Sequence, residues 1–177
     1  MKTIVYIAIA VSLLLASCNS QPTLQKFFVE NSEKKNFIAL DVSANILNVA
    51  SEQLTAEQKE ALDAFDNVNI IAFKADGTNQ KEYQFEKDKL NAILKDETYQ
   101  QLIKVGSGSE GASISFVGTE DKIEEFIVYA NKKENGFAVI RVTGDEMNPN
   151  HIMTMLSVLQ KSNIDMEQLK PLQALMQ

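Results

Sequence analysis

The sequence predicts an α+β two-layer sandwich: a mixed sheet with a C-terminal antiparallel meander, and helices mainly on one face. Three observations lead there. Up to Asp96, strand-like runs alternate with segments of helical period; from Tyr99 onward four stretches change to period two; and the breaks between those stretches carry glycine in hairpin positions. No linker, low-complexity tract or repeat divides the chain, so residues 24–177 read as one domain behind a leader (1–17) and a short tether (18–23).

Thr23 caps a first helix that sets Leu24, Phe27 and Phe28 on one face at i, i+3 and i+4. Its polar side, Glu30, Glu33, Lys34 and Lys35, is too mixed in charge for a basic membrane-surface anchor. Phe37 to Val42 alternates as a strand, and Ala44 to Ala50 has helical spacing at Ile46, Leu47 and Ala50. Thr55 with Gln58 is a capping-box pattern, opening a helix with Leu62 and Phe65 on its apolar side. Val68 to Phe73 is almost continuously apolar, as an interior strand is, and Asp76-Gly77 ends it. A helix from about Phe85 to Asp96 turns Leu90, Ile93 and Leu94 inward.

The meander comprises Tyr99 to Val105, Ala112 to Val117, Ile123 to Ala130 and Phe137 to Val142. Asn135-Gly136 is a type I′ hairpin signal, which makes the last two strands antiparallel neighbours. Ala112, Ile114 and Phe116 oppose Ser113 and Ser115, a pattern that implies one wet face here. Asn148-Pro149 then starts a helix, Asn as cap and Pro at the first position, with Ile152, Met155, Leu156 and Leu159 as its buried stripe. Pro171 interrupts a weaker terminal helix from about Asp165 to Met176.

The leader reads as a secretory signal: Lys2, an apolar run from Ile4 to Leu15, then small residues. Those 12 residues would rise only ~18 Å as a helix against an apolar bilayer core of about 30 Å, too short for a comfortable span. Leu15-Ala16-Ser17-Cys18 resembles the lipobox of bacterial lipoproteins. The resemblance implies cleavage before Cys18, a diacylglycerol on its sulfur, and an acylated N-terminus. Two or three acyl chains hold a protein on a membrane stably where one does so marginally. Asn19 is not the aspartate of an inner-membrane retention signal, and no acidic tag follows, so the expected location is the periplasmic face of the outer membrane. Cys18 is the single cysteine, so an internal disulfide is impossible.

The chain carries 24 Asp plus Glu against 17 Lys plus Arg; loss of Lys2 with the leader leaves 16 cations and a mature net charge of −8. That balance argues against nucleic acid, which needs a cationic face, and against docking on anionic headgroups. The membrane contact expected is the lipid itself.

No constellation stands out as catalytic. Gly106-x-Gly108-x-x-Gly111 matches a dinucleotide fingerprint in spelling, but an alternating strand follows it where a helix is needed to receive the pyrophosphate, and a hairpin loop is the better reading. His151 is the sole histidine and no G-x-S-x-G elbow accompanies it; it reads as a structural or surface residue, with a hydrolase using His151 as base kept as an alternative. One histidine and an acylated cysteine make no zinc cluster, and Asp76-Gly77-Thr78-Asn79 reads as a plain turn, so neither metal nor cofactor is expected. Glu120, Asp121, Glu124 and Glu125 form an acidic corner best read as solvated, with Glu124 and Glu125 on opposite faces of a strand. Met153 and the terminal helix offer an adaptable apolar surface.

The lipobox, the helix Leu24 to Glu30, the strand Phe37 to Val42, and the closing pattern Phe126-Ile127-Val128-Tyr129, Phe137-Ala138-Val139-Ile140, then helix, together resemble the DUF4252 family. The resemblance implies a small lipoprotein of Bacteroidota and carries over no catalytic residue. The functional expectation is a lipid-anchored, non-catalytic binding or structural module that engages an unidentified envelope protein. The second alternative is a carrier of a small apolar ligand held in a closed cavity of roughly 300 Å³ or more between helices and sheet.

Overall fold

The computed structural model describes residues 22–43 and 54–154. In chain order these form α1 (Leu24–Asn31), β1 (Phe37–Ser43), α2 (Ala56–Asp63), β2 (Phe65–Lys74), α3 (Gln80–Ile93), β3 (Gln100–Ser107), β4 (Glu110–Thr119), β5 (Lys122–Lys132) and β6 (Gly136–Met147), followed by helical turns over 149–154. The six strands make one open sheet in the order β1-β2-β6-β5-β4-β3, antiparallel at every pairing. The α+β sandwich and its meander are as predicted, but the sheet is not mixed. β1 and β2 pair antiparallel from Phe37↔Phe73 to Ser43↔Asn67, so the segment joining them closes a long hairpin and makes no crossover.

Local signals hold well. Thr23 accepts the Lys26 amide and caps α1, and Thr55 and Gln58 complete both halves of their capping box. Asn148 caps the helix at Pro149 by accepting the His151 amide at 3.0 Å. Two boundaries differ from expectation. Phe65 opens β2 opposite Gly144 and does not close the preceding helix, because its ring fills a core with Phe116, Ile123, Phe126 and Met147. α3 begins five residues before Phe85, after an Asx turn in which the Asp76 carboxylate accepts from the Thr78 amide and hydroxyl and from the Asn79 amide. The expected helix at 44–50, Met155, Leu156, Leu159 and the terminal helix lie outside the described residues, as does the leader with Cys18.

The β5–β6 hairpin forms, but Lys132 pairs with Gly136 and leaves a three-residue loop, not a two-residue type I′ turn. Gly136 answers a different demand: a Cβ there would sit 1.8 Å from the Phe73 carbonyl oxygen, and its φ is +122°. The glycine lets β2 and β6 approach. The Gly106–Gly111 stretch is likewise the β3–β4 hairpin, with Ser107 paired to Glu110.

The register divides the residues into two faces. On the first, Phe37, Phe73 and Phe137 stand side by side across β1, β2 and β6, with ring centroids 5.1 and 5.6 Å apart. Phe27 of α1 and Tyr83 of α3 close over them, and Leu24, Leu90, Ile93, Ile71, Val139 and Ile127 complete this core. Among the described residues, α2 and the turns at 149–154 cover the second face at the end near Phe65, Phe116 and Phe126. The larger helices therefore share one face, as expected, while the smaller pieces sit on the other.

Candidate functional site

Register turns the second face into three apolar rows, two of them crossing all six strands and one running from β1 to β4, where Gln100 of β3 ends it. One row reads Leu40, Ile70, Ile140, Val128, Ile114 and Ile103 from β1 to β3. The row nearer the helix-covered end reads Val42, Val68, Val142, Phe126 and Phe116. The third holds four alanines in succession, Ala72, Ala138, Ala130 and Ala112, with Ile38 and Val105 at its ends. The short side chains of Ala112, Ala130 and Ala138 leave a trough of about 530 Å³, bordered also by Val105, Lys132 and Asn135, while Ala72 is buried outside it. Beyond it the face ends in polar residues, Lys74, Lys132, Glu110 and Ser107, with Lys132 and Glu110 3.9 Å apart.

This apolar face is only partly covered among the described residues. Ile103 and Val105 on the edge strand β3 are 53% and 58% exposed and Ala130 is exposed, while Ile70 and Ala72 on β2 are buried. The expectation of one wet face at β4 is thus inverted. Ser115 is buried, and it and Ser113 point into the helix-covered face beside Ile127 and Tyr129, where their small size leaves room for those larger neighbours. Ala112, Ile114 and Phe116 look toward the more open one.

The first face ends in a satisfied polar network. Arg141 donates to both carboxylate oxygens of Glu125, through Nε at 2.8 Å and through Nη2, and contacts Asn69, which donates to Asp41 at 2.7 Å. Glu125 holds the guanidinium charge firmly, pushing the Arg141 pKa above its ordinary value. The acidic corner is therefore split, with Glu125 paired and Glu124 exposed across the strand. Deeper in, the Tyr129 hydroxyl is buried without a partner among the described residues, and burial pushes both it and the Tyr83 phenol up, the Asn131 side chain opposing that rise at Tyr83.

His151 sits at the margin of the second face. Its Nε2 lies 3.1 Å from the Asn148 side-chain amide nitrogen, and its Nδ1 is buried without a partner among the described residues. The Glu60 carboxylate is 4.0 Å away on a side chain that is 76% exposed. No described serine or carboxylate reaches the ring within hydrogen-bond distance; the contacts present are those of a helix cap. Nor do the described residues gather three or more His, Cys, Asp or Glu side chains as metal ligands. The trough is open along exposed Lys132 and Asn135, unlike the closed chamber a carrier requires, and it lies on the side away from α1 and α3.

A family model described as "Domain of unknown function (DUF4252)" matches residues 28–155, well over half of the chain. The chain belongs to the DUF4252 family. The match runs from the body of α1 through all six strands to the start of the last helix, so the alanine row lies wholly inside the DUF4252 region. No curated protein and no solved structure matches the chain. Among the described residues no helix is long and apolar enough to cross a membrane.

Sequence reasoning placed the strands but missed the trough. Each alanine is one small residue in its own strand, and nothing local marks it. The available signal was that Val68–Phe73 and Phe126–Ala130 are apolar at consecutive positions, as strands with two apolar faces are.

Proposed function

We propose that this DUF4252 protein is a lipid-anchored, non-catalytic docking module of the bacterial envelope, tethered through acylated Cys18, that takes up an amphipathic helix of an envelope partner on the second sheet face. The observation that carries the docking is the apolar face of three rows, open toward β3, β4 and β5, with its small-residue trough. Helix-in-groove recognition uses such a surface, with anchors at i, i+3 and i+7 seated between bulky rows. Ile103, Val105 and Ala130 are exposed beside the trough, and apolar side chains grouped at the surface mark interaction sites. The lipobox supports the anchor. The five residues from Cys18 to Pro22 reach ~17 Å when extended and lead into α1, which packs on the opposite face, so a tethered domain keeps its second face accessible.

Two measurements test the reading. Mass spectrometry of the envelope protein should find a mature N-terminus at residue 18 carrying acyl chains, and Cys18→Ser should move the protein to the soluble fraction. A photo-reactive residue at Ala130 should cross-link in cells to an envelope protein, on an amphipathic helical peptide of it, while the same residue at exposed Lys81 on α3 should not. An unmodified residue 18 removes the anchor, and equal yields from both positions remove the docking surface.

A further inference from the structure

We propose that the outer edge of β3 takes up an extended segment of another protein as an added strand, one that carries a carboxylate opposite Lys104. This site is separate from the helix docking on the second face: it uses the backbone edge of the sheet, not the trough. Among the described residues β3 pairs with β4 alone and ends the strand order, so alternate backbone N–H and C=O groups along it point away from the sheet unpaired. All of its 8 residues are exposed. Leu102, Ile103 and Val105, three of the six large apolar side chains left exposed among the described residues, fall within this one strand. The opposite edge is built differently. On β1, Phe37 is buried, Ile38, Leu40 and Val42 are partly covered, and Asp41 accepts from Asn69 of β2.

The edge selects its occupant by chemistry. Open amide and carbonyl groups at strand spacing are met by an extended backbone, which neither a helix nor a lipid surface offers. Ile103 and Val105 turn to the second face, so the incoming segment is apolar at alternate positions on that side. Between them Lys104, opposite Ser113 and the single charge on β3, is exposed and makes no ion pair among the described residues. A carboxylate at the facing position supplies the missing charge, as opposite-charge cross-strand pairs do. The same lysine disfavours a second copy. Antiparallel pairing that sets Ile103 beside Val105 of the copy brings Lys104 directly opposite its own equivalent, where like charges repel. Shifting that register two residues either way puts the ammonium against Leu102 or Ile103 against Ser107. The bulge at Leu102, which has no partner residue in β4, bends the edge further from a flat self-pairing. A lysine on an edge strand guards against self-association, and here it leaves the edge open to a strand of opposite charge.

The test uses the full mature chain carrying Cys18→Ser, isotopically labelled for NMR, and short synthetic peptides that alternate Thr with Val and carry Glu or Lys in place of the central Thr. With the Glu peptide, β3 amide resonances should move with concentration, and an alternate set of β3 amides should exchange with deuterium more slowly. The Lys peptide should bind about fivefold more weakly, and Lys104→Glu, an exposed substitution, should reverse the order of the two. A Glu peptide with Pro in place of the flanking Val residues cannot continue a ladder and should leave the β3 amides unprotected. Equal affinity for the Glu and Lys peptides, an order that Lys104→Glu leaves unchanged, or no β3 response at millimolar peptide would overturn the proposal. A micromolar dimer of the peptide-free chain with β3 amides protected would replace the partner strand by a second copy. Shifts confined to the trough alanines would remove the strand site and leave the docking function standing.

Discussion

The two faces of one sheet are built from opposite materials. The first is aromatic and sealed. Phe137 lies within 6.5 Å, centroid to centroid, of five rings, those of Phe27, Phe37, Phe73, Tyr83 and Tyr129, and two helices close over it. Cross-ties fasten those helices, with Lys34 on Glu86 at 2.9 Å, Asn36 on Glu82 at 2.6 Å, and the Tyr99 hydroxyl accepting the Leu24 amide at 3.2 Å. The second face is aliphatic away from the Phe65, Phe116 and Phe126 cluster and partly bare toward β3, with Ala72, Ala138 and Ala130 beside the Phe73, Phe137 and Tyr129 of the first. The contrast teaches that stability and recognition are segregated here: one surface holds the fold, and the same strands offer the other.

Substitutions on the two faces should separate accordingly. The largest effect belongs to Phe137→Ala, expected to cost ~3–5 kcal/mol in denaturant unfolding as a buried aromatic truncation. Ile140→Ala, its half-buried neighbour on the second face, should cost less than about half as much; equal losses would erase the distinction. Next comes Arg141→Ala, which strips Glu125 of a bidentate partner at the polar end of the first face and should cost ~1–3 kcal/mol by the same assay.

Tyr129→Phe runs the other way. Its hydroxyl is buried without a described partner, so removing it should raise stability by ~1 kcal/mol at neutral pH. The pH dependence has a definite sign. Because burial raises the folded phenol's pKa, the unfolded chain loses its proton first as pH climbs past ~10, and wild-type stability should fall there. Urea unfolding from pH 8 to 11 should show a shallower fall in Tyr129→Phe, and identical slopes would contradict the assignment. The smallest effect is expected from Lys122→Ala, whose ion pair with Glu146 is 54% and 76% exposed; it should change stability by less than ~0.5 kcal/mol.

What was legible in the sequence was local. The caps at Thr23, Thr55 and Asn148 act within three residues, and the period-two stretches announce strands whatever their partners. What was not legible depended on distant pairing. Phe65 reads as helical by spacing, yet Gly144 and a remote core make it the start of β2. Ser113 and Ser115 read as solvent-facing, yet they face the helices beside Tyr129 and Ile127. The alanine row exists only once β2, β6, β5 and β4 are placed in register, and a slip of one residue in any strand would break it.

The most direct measurement of the docking surface is methyl NMR on the protein labelled at alanine, titrated with an amphipathic helical peptide. The account predicts shifts at Ala112, Ala130 and Ala138 with Ala39, on the opposite face of the sheet, unmoved. Binding that shifts Ala39 and leaves the three trough alanines untouched would contradict it.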